Sequence, residues 1–296
     1  MKSDFNKGLI PSIIRQNQIN FLPKSHHFYT LAQELVIRGF SRRTIKTYLS
    51  INQRFLVFIR KSAKEVATQD IKEYLLYLKS RGQSNTSLNL AISALKFYYQ
   101  QILKRKLFFN IQRPKREKYL PVVLSRAEII KLIDSTRNLK HKLLLSLLYG
   151  SGLRVSEAVK LKINHLDLEN SKLLVKDGKG NKDRRTILSA SSINLLNDYL
   201  ESADVNQTYL FPGAKDKSHL SQRSAQKIFD QCQSRAGINK QASCHSLRHS
   251  FAIHLLDNGT DISVIQKLLG HQNIKTTQIY AKVSDYAISK VISPLD

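Results

Sequence analysis

The chain has 296 residues, long enough for two modest domains that each bury a core. Its 48 lysines and arginines against 22 acidic residues leave a formal charge of +26, of which residues 1–116 carry +17 and residues 117–296 carry +9. That balance calls for a polyanionic partner held through counterion release. It argues against a membrane-surface role, because the charge is spread through folded segments rather than gathered on one basic helix.

Cys232 and Cys244 are the only cysteines, too few for a disulfide framework and without metal-ligand spacing. They are expected to be reduced and structural, as in a cytoplasmic protein. No run of about 18 apolar residues spans a bilayer. Residues 1–27 are read as an N-terminal extension, a basic arm or a segment that packs on a partner subunit. Its short apolar run Leu9 to Ile14 is interrupted by Pro11 and lacks a signal-peptide pattern.

Residues 28–110 read as successive helices forming one domain. Ser41 caps a helix whose apolar positions Ile45, Tyr48, Leu49, Phe55, Leu56 and Ile59 recur at mostly helical spacing. Thr68 starts the next, through Ile71, Leu75 and Leu78, and Gly82 ends it. A third runs from near Ser84 to Ile102. The polar faces of these helices carry Arg42, Arg43, Lys46, Arg81, Asn85 and Thr86, the candidate DNA contacts. Residues 111–121 form a basic linker with Arg113, Lys115 and Arg116, which suits a path along a duplex backbone between two domains that clamp it.

Residues 122–296 form the second domain. It opens with a capping box from Ser125 to Glu128, followed by a buried helix over Leu143–Tyr149. Gly150-Ser151-Gly152 breaks that helix and delivers Arg154 to the start of another. Residues 172–176 and 184–188 are strand-like and flank Gly178 and Gly180, which predicts a hairpin with Lys179 near its tip. Helices follow at about 190–201, 222–236, 244–257 and 261–269, the last two stopped by Gly259 and Gly270. The fold class is mainly α: a helical N-terminal domain and a mostly α C-terminal domain with a small antiparallel sheet.

The second domain carries a spaced basic set that ends in a tyrosine: Arg154 in G-L-R-V-S-E, Lys179 in D-G-K-G-N-K, His245 and Arg248 in H-S-L-R-H, His271 in L-L-G-H, and Tyr280 in T-T-Q-I-Y-A. Cleaving a phosphodiester requires neutralising developing charge, a nucleophile, and a proton for the departing oxygen. Arg154 and Arg248 suit the first task, since a guanidinium grips two phosphate oxygens with one planar fork. His245, three residues before Arg248 on one helix face, can accept the tyrosine proton or hold a phosphate oxygen. Tyr280 would be the nucleophile, its phenol activated by the surrounding positive charge. Lys179 is the candidate acid, with Lys182 and Lys176 close enough to compete. His249, His254 and Tyr286 read as structural. No carboxylate cluster suggests a divalent metal.

These motifs, in this order, resemble the tyrosine recombinases of the phage-integrase family, the Xer-like and simple integrase branch most, over roughly residues 28 to 294. The resemblance implies a core-binding N-terminal domain and a catalytic C-terminal domain. Arg154, Lys179, His245, Arg248, His271 and Tyr280 then become catalytic, His271 nine residues before Tyr280 as in the family, with Glu157 as the acidic helper that orients the site. It implies a 3′-phosphotyrosyl intermediate, strand exchange through a Holliday junction, and a tetramer on paired double-stranded DNA sites. No cofactor is needed, and an accessory DNA-bending protein or partner recombinase is open. The setting would be cytoplasmic and nucleoid-associated. The competing readings are a DNA-binding or architectural protein without catalysis, and type IB topoisomerase-like relaxation.

Overall fold

A computed structural model describes residues 27–108, 110–115, 120–176, 183–204, 207–214 and 218–281. Contacts divide the chain into two compact units, Met1–Lys118 and Tyr119–Asp296.

The first unit contains α1 (Tyr29–Ile37), α2 (Arg42–Ile59), α3 (Thr68–Ser80) and α4 (Asn85–Lys96). Ser41 and Ser84 cap α2 and α4 by accepting the backbone N–H of Thr44 and Ser87, contacts worth about 1 kcal/mol each. At α3 the cap is instead the Asp70 carboxylate, which accepts the N–H of Ala67 at 2.7 Å and a bond from Lys61 at 2.6 Å. The core is built from Leu31, Leu35, Phe55, Ile71, Leu95 and Tyr99, all fully buried. The helix expected to run to Ile102 changes pitch: residues Phe97–Ile102 form a π turn. Tyr98 and Tyr99 in this turn are both buried in the core, and such π turns occur mostly as single-turn insertions in an α-helix. Apolar periodicity alone does not reveal such a shift.

In the second unit, α5 (Arg126–Asp134) opens with the expected capping box, Ser125 and Glu128 exchanging bonds. The leucine run becomes α6 (Leu139–Gly150), with Leu143, Leu144, Leu145, Leu147 and Leu148 fully buried. A helix apolar on nearly all sides has to be enclosed, and α8 (Ala190–Glu201), α9 (Gln222–Arg235) and α10 (Cys244–Asp257) enclose it. The short α7 (Val155–Ala158) follows α6. The sheet is antiparallel in the order β1 (Leu166–Asp167), β2 (Lys172–Val175), β3 (Arg184–Ile187). The pair β2 and β3 matches the expected hairpin, closed by Val175 opposite Arg184. Strand β1 has two residues, too short to show alternation in sequence. Helix α11 (Ile262–Leu269) ends at Gly270 in the left-handed region, φ +64°, and α12 (Gln278–Ala281) carries the tyrosine. Phe251, Ala252, Ile253, Ile265, Leu269 and Tyr280 form a second apolar cluster behind it. Both cysteines are free and buried, and burial raises the Cys244 thiol to about 12, so it stays an inert thiol.

Candidate active site

Two glycines shape the walls of the site. Gly152 has φ +60°, and a Cβ there would lie 2.4 Å from Cδ1 of Phe251 on α10. Gly270 has φ +64°, and its Cβ would lie 2.6 Å from Cδ of Arg184. In both places the left-handed turn and the close approach demand the same residue. The peptide groups so positioned feed the site: Arg248 Nη1 donates to Gly152 O at 2.7 Å, and its Nη2 donates to Leu269 O at 2.6 Å.

Arg154 stands at the first capping position of α7 with extended backbone. Glu157, one turn on, accepts the Arg154 N–H at 2.8 Å and Arg154 Nη1 at 2.7 Å. Both its oxygens also receive Arg184, from Nη1 and Nη2 at 2.8 Å each. Arg184 Nε meanwhile donates to Leu268 O at 2.8 Å. The Glu157 side chain is only 4 % exposed. Burial works to raise its pKa, but the Arg184 bonds and charge, then the Arg154 bonds, hold it at about 2. This bidentate Arg184–Glu157 pair ties the hairpin, the end of α11 and α7 together beneath Arg154. Arg184 sits among several basic residues in the stretch 182–185, and nothing in its local pattern marks it out.

Arg248 is fully buried. Burial and then Arg154 lower its pKa, Glu157 opposes them, and the group stays protonated at neutral pH. Its Nη2 donates to His271 Nε2 at 3.1 Å. Its Nε has no acceptor among the described residues, an uncommon state for a buried donor. Because arginine only donates, His271 keeps its proton on Nδ1, which then donates to Thr277 Oγ1 at 2.9 Å. Burial, followed by Arg248, Arg154, Arg184 and His245, pushes His271 down to about 3. His245 lies exposed at the start of α10, its pKa lowered by partial burial and by the Arg248 and Arg154 charges.

Tyr280 is 2 % exposed. Its ring stacks 6.4 Å from that of His271 at 21°. Burial raises its pKa, while Arg248 and Arg154 oppose that shift. Among the described residues its hydroxyl has one hydrogen-bond partner, His249 Nδ1 at 3.1 Å. In the sequence His249 reads as structural, yet its spacing of four from His245 puts the two rings on one face, 4.4 Å apart. Only the return of α12 to α10 brings His249 and Tyr280 together. His254 does play a packing part, bonding Tyr149 Oη at 3.0 Å.

The fold thus gathers Arg154, Glu157, His245, Arg248, His271 and Tyr280 around one point. Lys179 and Lys182 lie outside the described residues, as does Arg116. In the first unit, Arg42, Arg43, Lys46, Arg81 and Thr86 are exposed, and so is Lys115. Asn85 and Arg113 have internal work: Asn85 Nδ2 donates to Lys115 O at 3.0 Å, and Arg113 Nη1 donates to Ser93 Oγ at 3.1 Å. These bonds lay segment 113–115 along α4. Among the described residues no group of three or more His, Cys, Asp or Glu side chains could hold a metal ion, and no helix is long and apolar enough to cross a membrane.

Comparison with known proteins decides the family. The phage integrase family model matches residues 123–286, and the model of its N-terminal SAM-like domain matches residues 28–108. This chain belongs to the phage integrase family. It is a tyrosine recombinase of Xer-like type, hence an enzyme. It is 37 % identical over 263 residues to the tyrosine recombinase XerA of Pyrococcus horikoshii, covering 88 % of this chain and 90 % of that one. It is 32 % identical over 272 residues to the tyrosine recombinase XerC of Lacticaseibacillus casei, covering 84 % and 91 %. Among solved structures it is similar to the XerH site-specific recombinase bound to palindromic difH substrate, a post-cleavage complex, with a TM-score of 0.69, 26 % identity, and coverage of 88 % and 83 %. The crystal structure of XerA recombinase gives a TM-score of 0.53 at 34 % identity, covering 88 % and 94 %. In this recombinase the SAM-like match coincides with the helical first unit, and the integrase match contains every residue of the gathered site.

Proposed function

We propose that this recombinase cuts and rejoins double-stranded DNA at specific sites through Tyr280. The observation that carries the reading is the gathering around Tyr280 of two guanidiniums and three imidazoles, brought together from the start of α7, from α10 and from the turn after α11. Tyr280 attacks one strand to form a 3′-phosphotyrosyl bond and free a 5′ hydroxyl. Arg154 and Arg248 neutralise the negative charge that develops on the phosphoryl oxygens. His245 holds a phosphate oxygen, His271 orients Arg248, Glu157 fixes Arg154, and Lys179 protonates the leaving 5′ oxygen.

Because the covalent link conserves the phosphodiester's energy, a 5′ hydroxyl from a partner duplex completes the exchange. Two rounds pass through a Holliday junction in a tetramer on paired sites, with an accessory or partner recombinase as a further participant. The outcome is integration and excision of a mobile element or Xer-like resolution. We assign residues 28–110 to gripping DNA, through Arg42, Arg43, Lys46, Arg81 and Thr86, and residues 122–296 to catalysis. The charge of +26 and the XerH neighbour on its difH substrate support a DNA partner.

The test is covalent trapping. The protein is incubated in EDTA with nicked suicide duplexes tiled across the DNA flanking its gene. An adduct at one discrete site, on the 3′ phosphate and lost in Tyr280→Phe, is expected. Tight binding to a duplex without any adduct would favour a DNA-binding role, and an adduct that survives Tyr280→Phe would move the nucleophile elsewhere.

A further inference from the structure

If Tyr280 is the nucleophile, some group must take its proton, and the identity of that group rests on the role proposed for Tyr280. Three histidines surround the hydroxyl. The lone pair of His271 Nε2 is filled by Arg248 at 3.1 Å, and its Nδ1–H faces Thr277, so this ring has no site left for a proton. His245 is exposed, and its ring meets that of His249, 4.4 Å away at 74°, rather than the tyrosine. His249 Nδ1 lies 3.1 Å from Tyr280 Oη. That leaves one ring in hydrogen-bond reach of the reacting atom.

We propose that His249 is the general base of this site, accepting the Tyr280 proton at Nδ1 as the phenolic oxygen attacks phosphorus. The Oη–H bond breaks and an Nδ1–H bond forms while an oxygen lone pair makes the bond to phosphorus. The bond from phosphorus to the 5′ oxygen breaks, and that oxygen takes its proton from a separate acid, Lys179 in our reading. In rejoining, the incoming 5′ hydroxyl gives its proton to the same lysine, now a neutral amine, as its oxygen attacks phosphorus; the Oη–P bond breaks, and the phenolic oxygen recovers its proton from His249. The resting tautomer this requires has hydrogen on Nε2 and a free Nδ1 lone pair, with Tyr280 Oη donating.

The electrostatics agree with that resting state. Burial, then His245 and Arg248, hold His249 down at about 4, so the ring is neutral and able to accept. Burial keeps Tyr280 protonated until an acceptor is used. The charged and titratable groups facing the pair are His245 and Arg248 on α10, Arg154 before α7, His271 after α11, and Tyr280 itself on α12. The cations among them disfavour an imidazolium in the free chain. The negative phosphodiester, when it enters, offsets them and makes the transfer feasible.

The decisive experiment uses the full-length protein and a suicide duplex that wild type cleaves, and follows adduct formation from pH 6 to 9. Asparagine at 249 keeps an oxygen near the place of Nδ1 but takes no proton. For His249→Asn we expect unchanged duplex affinity and cleavage slower by about 10²–10⁴-fold at pH 7. Its rate should climb about tenfold per pH unit, because hydroxide must then do the deprotonation, while wild type stays nearly flat. His245→Asn should slow cleavage without creating that slope. A His249→Asn enzyme as fast as wild type would overturn the proposal, and a faster one would make the contact a brake. A slower enzyme with a flat profile would reduce His249 to packing and overturn it too.

If the variant loses duplex binding, nitrogen-15 spectra of the wild-type histidines decide. An unprotonated Nδ1 at His249 is expected, and a proton on it would overturn the assignment. Failure of wild type to form any adduct would sink the nucleophile reading itself. A Tyr280-dependent adduct indifferent to His249 would sink only this inference.

Discussion

Glu157→Gln is the most informative perturbation of the architecture, because it removes one charge and almost no volume. The wild-type carboxylate is buried and held at about 2 from an ordinary 4.5. At 1.36 kcal/mol per unit, that depression corresponds to about 3 kcal/mol of folding stability at pH 7. The sign follows from the direction of the shift. A depressed carboxyl contributes fully above its unfolded pKa and loses the contribution as pH falls toward its folded one. The difference between wild type and Glu157→Gln should therefore be about 3 kcal/mol at pH 7 and shrink to about 1.5 kcal/mol at pH 3. The chain has no tryptophan, so urea unfolding is followed by far-ultraviolet circular dichroism at both pH values. A difference under about 1 kcal/mol at pH 7, or one that does not shrink in acid, would refute the claim that Arg184 and Arg154 are paired with a buried charge. Cleavage by the folded variant should also fall, since Arg154 loses its brace.

Gly152→Ala should destabilise the second unit by about 2–4 kcal/mol, combining a left-handed backbone with a collision against Phe251; thermal melting checks it, and a neutral result would mean that the α6–α7 turn relaxes freely. Replacing Arg42, Arg43 and Lys46 together with alanine should weaken duplex binding and flatten the salt dependence by about 0.9 per lost phosphate contact, measured as affinity against salt concentration. An unchanged slope would move the DNA-facing surface off α2. Lys179→Ala should slow cleavage by about 10²-fold or more and be rescued by a duplex with sulfur in place of the bridging 5′ oxygen, a leaving group that needs no proton. Rescue of Lys182→Ala instead would transfer the acid role to that lysine.

The chain of motifs was readable because each part is local. Serine caps, the glycine that stops α11, and the three-residue spacing of His245 and Arg248 express themselves within one or two turns, and the family resemblance rests on that order. Contacts between distant segments were not readable. His249 meets Tyr280 across 31 positions, Arg184 meets Glu157 across 27, and Arg248 meets Gly152 across 96. No periodicity encodes those distances. Asn85 and Arg113 show the converse: their types suit DNA, yet packing gives both side chains internal partners.

By itself, then, the sequence determined the helical class, the two-part organisation, and the kinds of group that could perform phosphoryl transfer, since patterning and side-chain chemistry are properties of the chain. Tertiary structure alone decided which of three histidines touches Tyr280, which arginine braces the acidic residue, and why glycine stands at 152 and 270. Those are questions of which lone pair is already occupied and which volume is already filled, and they have answers only once α10, α11, α12 and the hairpin share one space.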